Sequence, residues 1–339
     1  MKTNLKAYLA IILIAIASNK CRILALGGGG TKGAFQAGAI EGFLKALPPE
    51  ERIYDYITGV SVGALNMVIL AQSQPGNELS AVEHLKELWY NIKAENIFIN
   101  WPNGFIDGLF FKHGAFDSSP EKALINGLLY GTEFKRKFQF AVTDMSEGSV
   151  KYYDEKVPKA KIVDYLLATS AFPGALPYQN LDGTQFSDGG CILNVNVMGA
   201  MNRCLKDGFM EDDIIVDMIV TNQKKPIYSN MSDAVAYQMV LRYFSINSYL
   251  KTWHDIYDAV VAYPEAHFRY IISPTKSLPE YPIVPLNFNS ADILKMYQIG
   301  LEDGANIVKK SLSNFKESME EYRKIVTQMK YGDAFPVDR

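Results

Sequence analysis

The chain has 339 residues, 48% hydrophobic and 21% charged, and its 34 basic against 37 acidic side chains leave a formal net charge of −3. That balance excludes a disordered chain and gives no electrostatic footprint for nucleic acid, since no basic run of helix length occurs. Three cysteines, at 21, 191 and 204, allow at most one internal disulfide, so the chain is not a disulfide scaffold.

In chain order, Lys2 and Lys6 precede an apolar run over 7–17 that is too short to span a bilayer and ends in Ala15-Ile16-Ala17. This predicts a signal peptide over 1–17 and a secreted product, or one held in the secretory-pathway lumen. The alternative is an uncleaved N-terminal segment that anchors the protein to a membrane. No flexible linker interrupts residues 22–339, so they are expected to form one domain.

A short apolar strand at 22–26 runs into Gly27-Gly28-Gly29-Gly30-Thr31-Lys32-Gly33 and a helix over 33–47, which Pro48-Pro49 ends. Strand, glycine loop and helix gather backbone N–H groups around an anion-binding point. Gly28, Gly30 and Gly33 match a dinucleotide fingerprint formally, but the acid it requires would be Glu50, Glu51 or Asp55, none at the end of a second strand. The P-loop reading fails because Lys32 lies between Thr31 and Gly33. A nucleotide site is therefore not expected.

A strand at 54–59 and a helix at 62–73 enclose Gly59-Val60-Ser61-Val62-Gly63. This is the layout of a nucleophile elbow, a tight strand-to-helix turn that lifts a serine hydroxyl above a sheet. By itself the pattern is weak, arising by chance in about one chain in ten of this length. A helix comes next at 80–94. Residues 97–116 then hold ten large apolar side chains broken by Pro102, Gly104, Gly108 and Gly114, which argues against one long helix. Most of these side chains are expected in the core; Trp101, Phe105, Phe110 and Phe111 are set apart as a lid or bilayer-contacting patch above Ser61.

Further on, helices are expected at 120–129 and 161–168 and strands at 138–143 and 184–187. The last strand runs into Asp188-Gly189-Gly190, where two glycines let an aspartate at a strand end approach another group closely. A nearly continuous apolar strand at 214–220 and one or two helices over 291–330 complete the pattern. A Cys191–Cys204 bridge is open. No cysteine or histidine spacing suggests a metal site, and no cofactor is expected. Strands alternating with helices imply an α/β fold with a largely parallel central sheet, helices on both faces and extra C-terminal helices.

The order of three segments resembles the patatin-like phospholipase family. Gly28-Gly29-Gly30-Thr31-Lys32-Gly33 is similar to its oxyanion loop, Gly59-Val60-Ser61-Val62-Gly63 to its nucleophile motif and Asp188-Gly189-Gly190 to its aspartate motif. Ala168 to Gly174, Phe140 to Asp144 and Asn194-Val195-Asn196-Val197 extend the likeness, with Asn196 where the family has proline. It covers about 22–222, leaving 223–339 as a helical part.

The resemblance implies a serine lipid acyl hydrolase acting on phospholipid or another acyl lipid at a membrane or micelle surface. Ser61 would be the nucleophile, Asp188 its base in a catalytic dyad, and Gly28, Gly29 and Gly30 the oxyanion hole, with Lys32, Gly33, Gly59, Gly63, Gly189 and Gly190 shaping the turns. His84, His113, His254 and His267 all lie outside the motifs. A carboxylesterase for soluble esters and a catalytically idle lipid-binding or storage protein on the same fold are the alternatives.

Overall fold

The computed structural model describes residues 20–129, 133–279, 286, 288–309 and 313–331. The expected signal peptide lies outside the described residues. Eight strands form one sheet: β1 (Cys21–Leu26), β2 (Tyr56–Val60), β3 (Lys137–Asp144), β4 (Ser149–Asp154), β5 (Gln179–Leu181), β6 (Thr184–Asp188), β7 (Ile214–Ile219) and β8 (His267–Ile272). Their order is β5-β6-β3-β2-β1-β7-β8, with β4 paired to β3 off that path. The run β3-β2-β1-β7-β8 is parallel, and β4, β5 and β6 add antiparallel pairings at one end.

Ten helices are described: α1 (Gly33–Ala46), α2 (Val62–Ala71), α3 (Glu78–Asn91), α4 (Gly104–Phe111), α5 (Ser119–Leu128), α6 (Lys159–Ser170), α7 (Val197–Lys206), α8 (Ala236–Ala262), α9 (Ser290–Ile307) and α10 (Ser313–Tyr331). They cover both faces. Alternation along β1 shows why: Leu24 and Leu26 join one apolar layer with α1, α2, α3 and α9, whereas Cys21, Ile23 and Ala25 join a second with α7, α8 and α10. Strands buried on both faces read as continuous apolar runs. Asp217, inside β7, interrupts its run at no exposure and is neutralised by Arg269 Nη2 at 2.5 Å and the Tyr54 hydroxyl at 2.7 Å.

The expected α/β class with a largely parallel sheet and extra C-terminal helices holds. Several elements exceed the sequence reading. β4, β5, β8, α4, α7 and α8 are additional, and the segment expected as one or two helices over 291–330 forms α9 and α10. Helix α8 is missed because its first half is studded with exposed apolar and aromatic side chains (Tyr237, Met239, Val240, Tyr243), which obscures the buried series Tyr249, Trp253, Ile256 and Ala259. Helices α1 and α9 touch backbone to backbone. A Cβ on Gly38 would lie 2.0 Å from the Tyr297 carbonyl, and one on Gly300 2.0 Å from that of Phe35.

The cysteine pairing, open in the sequence, is answered, and one expectation is corrected. Cys204 pairs with Cys21, joining α7 to β1, and Cys191 is a free thiol. Burial pushes that thiol up to about 11. The aromatic segment is less buried than expected: on α4, Ile106, Phe110 and Phe111 are 70%, 70% and 78% exposed. Ile97 is in the core, and Trp101 is half-buried, its indole N–H donating to the Gly114 carbonyl at 3.0 Å. An eight-residue helix cannot hide apolar side chains that surround it on every side.

Candidate active site

Three strands bring Ser61 and Asp188 together. β4 pairs with β3 from Gln139 to Asp144, so it occupies one edge of that strand. The other edge is shared. β2 pairs along it up to Val60 opposite Ala141, and β6, running the opposite way, ends with Asp188 opposite Val142. The ends of β2 and β6 therefore face each other, and Ser61 comes directly after Val60. Ser61 Oγ donates to Asp188 Oδ2 at 2.7 Å, and both residues are buried.

Ser61 has φ 55° and ψ −129°, a conformation rare for a residue with a Cβ. Its N–H is held by Thr169 Oγ1 at 3.0 Å, and that hydroxyl donates onward to the Ala141 carbonyl at 2.6 Å. The glycines on either side are required by close approach. A Cβ at Gly59 would sit 2.4 Å from the Gly63 carbonyl, and one at Gly63 2.4 Å from that of Leu26. Helix α2 starts at Val62, so the positive end of its dipole lies at the serine.

Asp188 is fixed equally firmly. Its N–H donates to the Ala171 carbonyl at 3.1 Å, its carbonyl accepts from Thr143 Oγ1 at 2.9 Å, and Gly190 N–H donates to Oδ1 at 2.7 Å. Burial pushes its pKa up to about 6, against the hydrogen bonds from Ser61 and Gly190 and the charge of Lys251. All four histidines are exposed, and none lines the cavity at Ser61.

The glycine loop borders the same cavity through Gly29, Gly30, Thr31 and Lys32. Gly30 takes φ 56°. Gly28 departs from expectation: its N–H is spent on the Asn194 carbonyl at 3.0 Å, and its own carbonyl accepts from Thr221 Oγ1 at 2.5 Å. Gly28 thus ties the loop down, and the donors left for an anion are those of Gly29 and Gly30. Asn194 is held in turn. Asp255 on α8 accepts the N–H groups of Asn194 and Val195 at 2.6 and 2.9 Å, and Asn194 Nδ2 donates to Thr252 at 2.6 Å. Asn196 caps α7, its side-chain oxygen accepting the Gly199 N–H at 3.1 Å.

The cavity, about 390 Å³, has two unlike sides. Leu65, Trp89, Leu124 and Leu128 come from α2, α3 and α5, the helices on one face of the sheet. Asn222, Asn247, Ser248 and Lys251 come from the β7 end and α8, on the other, where Leu241, Tyr243 and Phe244 of α8 line the cavity beside them. Of the expected lid residues, none lines the cavity. Their helix reaches its rim through a chain of tilted ring contacts: Phe105 with Phe116 at 5.6 Å, Phe116 with Phe98 at 4.6 Å, and Phe98 with the lining residue Phe288 at 6.3 Å. Sequence reading misses Thr169, Thr221, Lys251, Thr252 and Asp255 as supports. Thr169 stands inside the Ala168 to Gly174 motif; the α8 residues carry no signal until that helix is recognised.

Residues 24–201 match the family model for patatin-like phospholipase. Calcium-independent phospholipase A2-gamma of Homo sapiens is 23% identical over 274 residues, covering 74% of this chain and 34% of that protein. Its Oryctolagus cuniculus counterpart is 24% identical over 204 residues, 54% of this chain and 26% of that protein. The chain thus spans about a third or less of the length of these curated relatives. Among solved structures, VipD from Legionella pneumophila covers 92% of this chain and 75% of its own at 10% identity and a TM-score of 0.40.

Proposed function

Since the chain belongs to the patatin-like phospholipase family, we propose that it hydrolyses acyl ester bonds of lipids with Ser61 as nucleophile and Asp188 as its base. The observation that carries this reading is the 2.7 Å hydrogen bond from Ser61 to Asp188 in a cavity that no described histidine lines.

In this mechanism Ser61 Oγ attacks the ester carbonyl carbon while its proton passes to Asp188 Oδ2. The carbonyl oxygen becomes an oxyanion, stabilised by the N–H groups of Gly29 and Gly30 and by the α2 N-terminus. Collapse breaks the ester C–O bond, and the departing alcohol oxygen takes the proton from Asp188. Water then loses a proton to Asp188 as it attacks the acyl-serine, the acyl C–Oγ bond breaks as Asp188 returns that proton to Ser61 Oγ, and the fatty acid leaves. An aspartate pushed up to about 6 is a better base than one at its ordinary value.

The apolar side of the cavity suits an acyl chain, and the polar side suits the head group or leaving alcohol. The exposed apolar side chains of α4 support contact with a membrane or micelle surface. The Cys21–Cys204 bridge supports an oxidising, secretory compartment. The test is fatty-acid release from phospholipid vesicles by pure protein, with Ser61→Ala as the control. Hydrolysis of a short soluble ester but of no lipid would favour a carboxylesterase, and absence of both would favour an idle lipid-binding protein.

A further inference from the structure

Helix α5 presents Glu121, Leu124 and Leu128 to the cavity. The leucines suit the apolar side on which they lie; the carboxyl group does not. Glu121 is 2% exposed, and its Oε2 has no hydrogen-bond partner among the described residues. Among those residues no cation pairs with it to compensate a buried charge, and its pKa moves accordingly. Burial pushes it up to about 8, the Asp188 charge adds to this, and the nearby Ser170 hydroxyl offsets part of it. Burial without a cation favours the uncharged acid, which can both donate and accept. The mechanism above makes no use of it.

A buried polar atom without a partner is destabilising, and one bordering a ligand cavity is commonly satisfied by what fills that cavity. Resting on the lipid hydrolase reading, we propose that Glu121 hydrogen-bonds a hydroxyl group carried on the acyl chain and makes the cavity selective for hydroxyacyl lipids. The position argues for the acyl chain and not the head group. Glu121 shares its helix face with Leu124 and Leu128, whereas the polar lining residues Asn222, Asn247, Ser248 and Lys251 come from the other side. The chemistry argues for a hydroxyl. A phosphate or carboxylate would add negative charge beside Asp188, and a protonated amine would have to be desolvated among leucines. A hydroxyl is neutral and matches an acid in both directions. A site that hydrogen-bonds a substrate hydroxyl also disfavours the analogue lacking it, because its own group is then left unpaired.

The experiment compares kcat/KM for phosphatidylcholine vesicles bearing stearoyl chains with those for a series of hydroxystearoyl positional isomers. The wild type is expected to favour at least one isomer by about 10-fold or more. Glu121→Gln, neutral and still both donor and acceptor, should keep that preference. Glu121→Leu should bring the ratio close to one. Because each ratio is taken within one protein, a loss of folded enzyme does not move it, and if Glu121→Leu does not fold, the wild-type ratios decide. Equal rates on plain and hydroxylated chains, or a preference that survives in Glu121→Leu, would overturn the proposal and leave the hydrolase reading intact. Release from none of the esters would overturn both.

Discussion

Lys251 acts on Asp188 without touching its carboxylate: the ammonium is bonded to the carbonyls of Gly190 and Cys191, in the turn just after the aspartate, and from there draws the Asp188 pKa down against the effect of burial. The acid limb of activity should report this balance. Asp188 must be ionised to take the serine proton, so kcat/KM should fall as pH drops through about 6. Lys251→Met removes the lowering charge and should move the limb to higher pH, while Lys251→Arg should leave it nearly in place. A limb that stays put in Lys251→Met would show that the charge does not govern the base.

Ser61→Ala should lower turnover by about 10³-fold or more without loss of fold, because only a hydroxyl disappears. Asp188→Asn should do the same, and changing any one of the four histidines to Gln should not. The Asp188 variant carries a second signature. The folded pKa is near 6 against an ordinary 3.8, so the ionised carboxylate weakens the fold. That penalty is absent below the unfolded value, grows between the two and is complete above about pH 6, where it reaches roughly 3 kcal/mol at 1.36 kcal/mol per pH unit. At pH 8, Asp188→Asn should therefore melt no lower than wild type. An inactive but folded histidine variant would instead point to a triad.

The glycine loop should depend on a residue outside every motif. Asp255 holds Asn194, and Asn194 holds Gly28. Asp255→Ala should lower kcat by about 10²-fold, the order expected for a 1 Å displacement of a catalytic group. Unchanged kcat in a folded variant would remove Asp255 from the support of the loop.

Phe110→Ser with Phe111→Ser should weaken vesicle binding and activity on vesicles while sparing hydrolysis of a dispersed short-chain ester. Neither side chain is in the core, so the melting temperature should hold. Trp101 is a poorer probe, since its indole also fastens Gly114. Both activities falling together with stability would make α4 a structural element only.

If the protein passes through a secretory pathway, the mature form should begin near residue 18 and contain the Cys21–Cys204 bridge. Cys204→Ser should cost about 2–4 kcal/mol of stability. N-terminal sequencing that finds Met1, or a free Cys204 thiol in the purified protein, would count against that compartment.

Ser61 and Asp188 are legible in the sequence as a candidate pair because their motifs are local: a strained turn needs its glycines at fixed spacing, whatever surrounds it. The parallel core is legible for a related reason, since β1, β2, β3 and β7 are apolar on both faces. What escapes is non-local. β4 has no buried residue and β5 is three residues long with none, so alternation is weak in them. The partner of Cys204 lies 183 positions away and depends on α7 crossing the sheet. Gly28 looks like an oxyanion donor because its sequence context gives no hint that Asn194 will claim its N–H. Most of the large apolar side chains of residues 97–116 look like core on hydrophobicity, which does not reveal whether anything will cover them.

The shared edge of β3 also bears on how such a chain can vary. Ser61 and Asp188 stand 127 positions apart, yet each is located by the same main-chain ladder. The stretch from Asp144 to Thr184, which loops out through β4, α6 and β5 before returning, takes no part in setting their separation along that ladder. It can lengthen or shorten at its turns while the Ser61–Asp188 pair stays in place. A single-residue deletion within β3 is different in kind: it would shift Ala141 and Val142 against their partners and turn every later side chain of the strand to the opposite face. Length is therefore free at the turns of the excursion, provided that Thr169 and Ala171 keep their hold on Ser61 and Asp188, and fixed in the strand that measures it.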